Sequence, residues 1–560
     1  MDKKIAFSML LGSAVMLTGC GKKMNQFAAD YFTTNPNPLE VVGQNVPATV
    51  TGNIPPKFFV KNASVTVTPY LTFNGTELAG SSMTFQGEKV NGNNRVISYD
   101  NGGTVTIPVN YVYQPEMQKS ELYLDFAVEQ KGKQYVLPRV KVADGIIATA
   151  SLASAETVAP ATAADKFQRI INEQYKADIL FLINVAKLRD SELKSQKIQE
   201  WNEKVAAASA AENREIKELN IESYASPDGP YDFNAKLAEQ RENNTKGYLE
   251  KQIKNNGINF GELTANFTPE DWEGFQKLVS ESNIQDKDLI LSVLKMYKDP
   301  ETRDREIHNM SNVFDELAET ILPQLRYSRL TASVDVIGKS DAEINKAFDN
   351  EPATLSVDEL LYAATLTDDL NRKKAIYAAA TKYYPNDYRG YNNLGNILYQ
   401  QGDFDAALDN YKKSAKLNPS APEAQMGQGL VALVNNDFKA ANQAFGKAGG
   451  LEELGSALGV YYLEQGDVNA AVKAFGNDKS NNAALAQILS KDYSKAKSTL
   501  AGIKTPDATT YYLSAVLGAR TNNEQMVISN LGKAVKLDKS LAAKAANDLE
   551  FANFNLSSVL

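Results

Sequence analysis

From about residue 385 the chain repeats itself at a spacing of 34 residues. Pro385 returns as Pro419, Gly395 as Gly429, Asp403 as Asp437, Phe404 as Phe438, Ala407 as Ala441 and Tyr411 as Phe445. A fixed period of this length marks a unit that cannot bury its apolar face alone and must stack on a copy of itself. Within the unit, Tyr391, Leu394 and Leu398 are spaced by three or four residues, as are Phe404, Ala407 and Tyr411, so each trio lies along one face of a helix. Less regular echoes follow at Leu458-Gly459, Gly466-Asp467, Ala471 and Phe475, around Tyr493, Ala496 and Leu500, and at Leu531 and Ala534. Residues 355 to 556 are therefore expected to form an α-solenoid of about six helix pairs, closed by a last helix near Leu541 to Phe554.

The run Tyr391-x-x-Leu394-Gly395-x-x-Leu398, then Ala407-x-x-x-Tyr411, then Pro419 resembles the tetratricopeptide repeat. The resemblance implies helix pairs in which small residues let the helices approach and large ones fill the gap, and a concave face that holds a peptide or another protein. Asn392 and Asn396 are one turn apart and share a face. They are the candidate partner-binding residues, spaced to hydrogen-bond an extended ligand.

A second informative stretch is Ile221 to Leu249. Ile221 to Ala225 is a short β-prone run, and Ser226-Pro227-Asp228-Gly229-Pro230 is a cluster of turn formers that breaks it. Asn234 is then expected to cap a helix carrying Leu237, Arg241, Thr245 and Leu249 on one face. Asn234-x-x-Leu237-Ala238-x-x-Arg241, ending in Leu249 and preceded by Asp228, Gly229, Tyr231 and Phe233, resembles the motif of the OmpA-like, peptidoglycan-binding domain. The apolar run Ala177 to Ile183 and the amphipathic segment through Trp201 resemble that family's first strand and helix, and the alternating Arg326 to Val336 fits its closing strand. An α/β OmpA-like domain over residues 165 to 345 is expected, with an all-helical insertion at about 255 to 325, whose first helix would start at Thr268-Pro269-Glu270-Asp271-Trp272 with Thr268 as its cap. The resemblance implies recognition of diaminopimelate in peptidoglycan, with Ser226, Asp228, Gly229, Asn234 and Arg241 as the candidate site. Arg241 would take a carboxylate and the Asp228-Gly229 turn would assist through its N–H groups. The family's ligand-binding aspartate falls on Ser226, a hydroxyl without charge; Asp228 lies two residues on.

Residues 36 to 148 are rich in Val, Thr, Tyr and Phe and are punctuated by Asn74-Gly75, Asn91-Gly92, Asn101-Gly102-Gly103 and Lys131-Gly132. Strands are expected at 46–52, 63–73, 82–90, 95–99, 104–113, 121–129 and 134–142, which suggests an immunoglobulin-like β-sandwich. The Ala-rich residues 149 to 164, with Pro160, read as a linker.

At the other end, Lys3 and Lys4 precede an apolar run from Ile5 to Leu17 that is too short to span a bilayer, followed by Leu17-Thr18-Gly19-Cys20. That tetrapeptide resembles a bacterial lipobox. The resemblance implies a signal peptide over residues 1 to 19, lipidation of Cys20 and a short tether over residues 20 to 35. No aspartate follows Cys20, and by analogy with bacterial lipoproteins the expected location is the periplasm-facing side of the outer membrane.

Function classes are narrowed by what the chain contains. A net charge of −9 without a long basic patch argues against a nucleic-acid partner. One histidine, His308 in a charged run, and no cysteine besides Cys20 argue against a Ser/His/Asp or Cys/His system and a His-based metal site. No enzymatic activity, cofactor or metal is expected. The sequence thus reads as an outer-membrane lipoprotein that tethers to peptidoglycan and binds a protein partner through its repeats; the alternative keeps the fold without the cell-wall ligand, as a scaffold subunit of a secretion, assembly or uptake complex.

Overall fold

The computed structural model describes residues 23–560 apart from 285 and 310, and only the backbone of 311–313. The expected signal peptide and Cys20 lie outside the described residues. Two compact units emerge: Asp165–Thr367 is one, and the chain up to Ala164 together with Asp368–Leu560 is the other.

The N-terminal part of the latter is all β. Its strands are β1 (Phe32–Asn35), β2 (Leu39–Glu40), β3 (Asn45–Ile54), β4 (Ala63–Phe73), β5 (Thr76–Ala79), β6 (Met83–Gly87), β7 (Arg95–Ile97), β8 (Gly103–Val112), β9 (Glu121–Gln130), β10 (Lys133–Asp144) and β11 (Ile146–Ile147). One sheet runs β1-β3-β8 and the other β10-β9-β4-β6-β7, with β5 pairing the far half of β4. Strict alternation explains the two layers: every second residue of β4 is buried, and Val46, Val50, Ile107 and Val109 of one sheet share a core with Val65, Leu71, Leu124 and Phe126 of the other. The expected strand 82–90 stops at Gly87, where the chain passes so close to residues 60 and 61 that a Cβ would lie 2.3 Å from the Val60 carbonyl oxygen.

The Asp165–Thr367 unit is an α/β layer. It contains β12 (Ile170–Leu180), α1 (Asp190–Leu193), α2 (Gln196–Ala210), β13 (Arg214–Tyr224), α3 (Tyr231–Asn256), β14 (Glu262–Thr268), α4 (Trp272–Glu281), α5 (Lys287–Met296), α6 (Pro300–His308), α7 (Ser311–Thr320), β15 (Tyr327–Ile337), α8 (Asp341–Asn350) and α9 (Val357–Ala363). The sheet order is β12-β15-β13-β14, with β15 antiparallel to both neighbours and β14 parallel to β13. Ile198, Trp201 and Val205 of α2 and Leu249 of α3 cover Ile179, Leu219, Ile221, Leu330 and Val334 of the sheet.

Three expectations change here. Residues 255 to 325 are not all helical, because Glu262–Thr268, where Leu263, Ala265 and Phe267 alternate, adds a fourth strand parallel to β13. Thr268 consequently pairs with Tyr224 and cannot cap a helix; Asp271 caps α4 instead, accepting the Gly274 N–H at 2.7 Å. The boundary at 345 to 355 moves to 367, since α8 and α9 belong with the sheet: Phe167 stacks on Tyr362 with centroids 4.4 Å apart, and Lys339 pairs with Glu359 at 2.9 Å.

The helical array comprises α10 (Leu370–Tyr383), α11 (Tyr388–Gln400), α12 (Phe404–Leu417), α13 (Pro422–Val434), α14 (Phe438–Phe445), α15 (Leu454–Glu464), α16 (Val468–Phe475), α17 (Asn481–Leu489), α18 (Tyr493–Ala501), α19 (Ala508–Arg520), α20 (Glu524–Leu537) and α21 (Ser540–Asn547). Pairing gives five antiparallel units from α11 to α20 among the described residues, with α10 and α21 flanking them, where about six pairs were expected. The 34-residue period has a physical basis in the contacts. Asp403 and Asp437 are the N-caps of α12 and α14, and Asp467 and Asp492 repeat the role at α16 and α18. Gly395, Gly429 and Gly459 admit the rings of Tyr411, Phe445 and Phe475; a Cβ on these glycines would lie 2.8, 2.5 and 2.5 Å from the ring.

Gly429→Val should therefore destabilise the array by about 1–3 kcal/mol through overpacking, and Phe445→Ala in the same chain should recover part of that loss; thermal melts followed at 222 nm measure both. A second test uses Glu464, at the end of α15, whose carboxyl is pushed up to about 7 by burial and whose Oε2 finds no hydrogen-bond partner. The folded chain then binds this proton more tightly than the unfolded chain, so stability falls as pH rises from the ordinary carboxylate range to about 7. Glu464→Gln should raise the melting temperature at pH 8 and leave it nearly unchanged at pH 4.5.

Candidate functional site

The five candidate residues lie near the carboxyl end of β13, in three hydrogen-bonded groups: Arg241 on backbone carbonyls, Ser226 and Asp228 with Arg326, and Gly229 and Asn234 with Glu270. In the first, Arg241 is fully buried on α3. Its Nη1 donates to the Tyr224 carbonyl at 2.7 Å, its Nη2 to Leu182 at 3.2 Å and its Nε to Val185 at 3.2 Å, while its guanidinium lies 4.9 Å from the centre of the Phe181 ring. Burial, aided by the charge of Arg326, lowers its pKa to about 10. The side chain expected to reach a ligand carboxylate instead fastens the loop after β12 to the end of β13.

In the second group, Arg326 donates from Nε to Ser226 Oγ and from Nη2 to Asp228 Oδ2, both at 3.0 Å, and Ser226 Oγ donates to Asp228 Oδ1. The Asp228 N–H is already used within the turn, donating to the Ser226 carbonyl at 2.9 Å. Asn234 lies inside the first turns of α3 and is not its cap, because the helix begins at Tyr231, directly after Pro230. Its Nδ2 donates to the Gly229 carbonyl at 3.0 Å and to Glu270 Oε1 at 3.1 Å; Trp272 Nε1 donates to Glu270 Oε2 at 2.9 Å. Burial raises the Glu270 carboxyl above its ordinary range. Arg326 and Glu270 were missed in the sequence; the only signal was that each borders the helical insertion.

The groove of the helical array is the other candidate, and it is occupied by the chain's own residues 149–164. Asn392 and Asn396 on α11 both donate from Nδ2 to the Ala161 carbonyl, at 3.0 and 2.9 Å. Asn393 beside them makes a two-point contact: its Oδ1 accepts the Ala163 N–H and its Nδ2 donates to the Ala163 carbonyl, each at 2.9 Å. Asn482 on α17 does the same for Ser154, at 3.0 and 2.9 Å. Tyr399 donates to the Ala155 carbonyl at 2.6 Å, and Arg389, held by Asp387, reaches the Ala164 carbonyl at 3.3 Å. Ala155, Val158 and Ala161 are buried in the same core as the repeats. The segment expected to be a linker is thus an ordered strap, because its small side chains let the backbone lie close against the helices. Asn393, Tyr399 and Asn482 were not singled out in the sequence, although Asn482 follows Asn481 at a helix start as Asn393 follows Asn392.

Residues 388–421 match the family model for the tetratricopeptide repeat. The pair α11 and α12 is thus a tetratricopeptide repeat. The next two helix pairs repeat its glycine–aromatic contact and the aspartate cap of its second helix. Similar solved structures include a tetratricopeptide repeat protein from Parabacteroides merdae, with 16% identity over 38% of this chain and 91% of that one and a TM-score of 0.30. YrrB, a TPR protein with an unusual peptide-binding site, has 25% identity over 30% and 97% of the two chains and a TM-score of 0.23. Pseudomonas aeruginosa pilF has 15% identity over 38% and 99%, with a TM-score of 0.28. No curated protein matches the chain.

Arg241→Ala should destabilise the Asp165–Thr367 unit by about 3 kcal/mol, since it removes the guanidinium hydrogen bonds to the carbonyls of Leu182 and Val185 in the loop and of Tyr224 at the end of β13. Urea unfolding reports this directly, and an unchanged midpoint would mean that the side chain is free to serve a ligand.

Proposed function

We propose that this protein is a non-enzymatic scaffold of the bacterial outer membrane, anchored through lipid on Cys20, facing the periplasm, whose tetratricopeptide repeats hold a protein partner. The repeat array carries the reading: stacked helix pairs offer an extended interaction surface. The pattern around Cys20 supports the location.

Peptidoglycan tethering, through diaminopimelate, is the second reading. The order and spacing from Asp228 to Arg241 favour it. Against it stand the commitment of Arg241 to three backbone carbonyls and of Ser226 and Asp228 to Arg326.

The two readings part in one experiment. Full-length protein and a chain ending at residue 367 are purified from detergent-solubilised envelopes, and each is also sedimented with purified sacculi. The scaffold reading expects a partner protein that is lost with the repeats and no retention on sacculi. An identical set of co-purifying proteins from both chains overturns it, and saturable sacculus binding by both restores the tether.

A further inference from the structure

Most of the contacts that hold residues 149–164 in the groove are made to main-chain atoms; the exceptions are the hydroxyls of Thr157, which accepts from Asn482 at 3.0 Å, and Thr149, which donates to Glu550. Asn393 and Asn482 each grip both the N–H and the carbonyl of a single residue, as a neighbouring β-strand would, and Asn392, Asn396 and Tyr399 take carbonyls alone. At the apolar positions side-chain identity enters through size: Ala155, Val158, Ala161 and Ala163 are each buried to within 5% exposure. Such a surface reads the main chain of a segment whose buried side chains are small, here two short 3-10 turns, Thr149–Leu152 and Ala155–Thr157, followed by non-helical backbone to Ala164. The strap itself does not complete it. Asn392 is fully buried, and its Oδ1 finds no hydrogen-bond donor.

We propose that residues 149–164 are an autoinhibitory strap, a resident copy of the ligand class that the tetratricopeptide groove recognises, and that a partner segment with small, uncharged residues at the buried positions enters when the strap leaves. The inference rests on the reading that the repeats bind protein, and it names how they do so. The covalent connection sets the threshold. A tethered segment competes at an effective concentration on the order of millimolar or higher, so a free peptide with the same contacts and present at micromolar concentration loses by about a thousandfold. The groove is consequently closed to a casual ligand.

Two measurements on the full chain test this. In the wild type, hydrogen exchange should show the amides of Ser154 and Ala163, which donate to asparagine side chains, exchanging at least a hundredfold faster than helix amides in α11 and α17. In the Ala161→Asp/Ala163→Asp variant, whose strap no longer fits, a fluorescein-labelled peptide of residues 149–164 should bind one-to-one and at least a hundredfold more tightly than to wild type. Adding Asn393→Ala should weaken that binding at least tenfold. A folded variant that takes the peptide no better than wild type overturns the proposal. Should the variant not fold, exchange decides: strap amides that open only at the rate of the helices make the strap a fixed part of the core and overturn the gate. That outcome leaves intact the dependence of an envelope partner on the repeats.

Discussion

A backbone N–H or carbonyl removed from water must find a partner, and in this chain side chains from elsewhere in the sequence repeatedly meet that demand. Residues 149–164 enter the groove without a neighbouring strand to pair with. Asparagine resolves the problem, since its amide carries a donor and an acceptor at the spacing of a peptide group and can grip one residue at both. Tyr411 completes the arrangement, donating to Asn396 Oδ1 at 2.9 Å so that the Asn396 amide is aimed at Ala161. At the far end of the strap, Thr149 donates to Glu550, whose carboxylate is held by Arg520 at 2.7 Å. The chain up to Ala164 and the repeats form one compact unit partly through this buried polar row.

The same demand decides what Arg241 does. A guanidinium presents its donors in a fixed fork, which fits a carboxylate but fits a ring of carbonyls equally well. Leu182 and Val185 belong to a turn whose Asn184 has a φ of +55°, and that turn directs two carbonyls inward with no strand to receive them. Arg241 is the donor that makes the turn possible. Its burial and its position over Phe181 follow from that duty.

Much of the architecture could be read from periodicity. The 34-residue recurrence located Gly395, Gly429, Tyr411 and Phe445, and the structure shows why they recur: each aromatic ring occupies the space that a Cβ on the facing glycine would take. Alternation located the longer strands of the β region to within a few residues. The strands it missed, β1, β2, β5 and β11, span two to four residues, too few for a period to register. The strap escaped for another reason. Its Ala-rich composition, broken by Pro160, has no period, and its order comes from asparagine side chains more than two hundred residues away, on α11 and α17, which accept its N–H groups. Motif order likewise placed Ser226, Asp228, Gly229, Asn234 and Arg241 at one end of the sheet, but spacing alone does not tell whether a polar group faces outward or is consumed by its own fold.

For the motif loop, what consumed it came with the insertion. Glu270 and Asp271 stand where the chain leaves β14, and Arg326 and Tyr327 stand where it re-enters the sheet at β15. The two ends of the insertion are pinned together by Tyr327, which donates to Asp271 Oδ2 at 2.7 Å. From that stem, Glu270 holds Asn234 on one side of the loop, and Arg326 holds Ser226 and Asp228 on the other. An isolated Arg326 in this position would be a buried charge without compensation, and an isolated Asp228 would be in the same state. Each therefore requires the other once the helices cover them. Ser226, uncharged where the resemblance would place an aspartate, fits that arrangement: a second carboxylate beside Asp228 would leave Arg326 one positive charge to two negative ones, whereas a hydroxyl accepts from Arg326 and donates to Asp228. The helices between β14 and β15 and the serine thus act together: the stem of those helices supplies Arg326, and the hydroxyl of Ser226 lets one guanidinium close the loop.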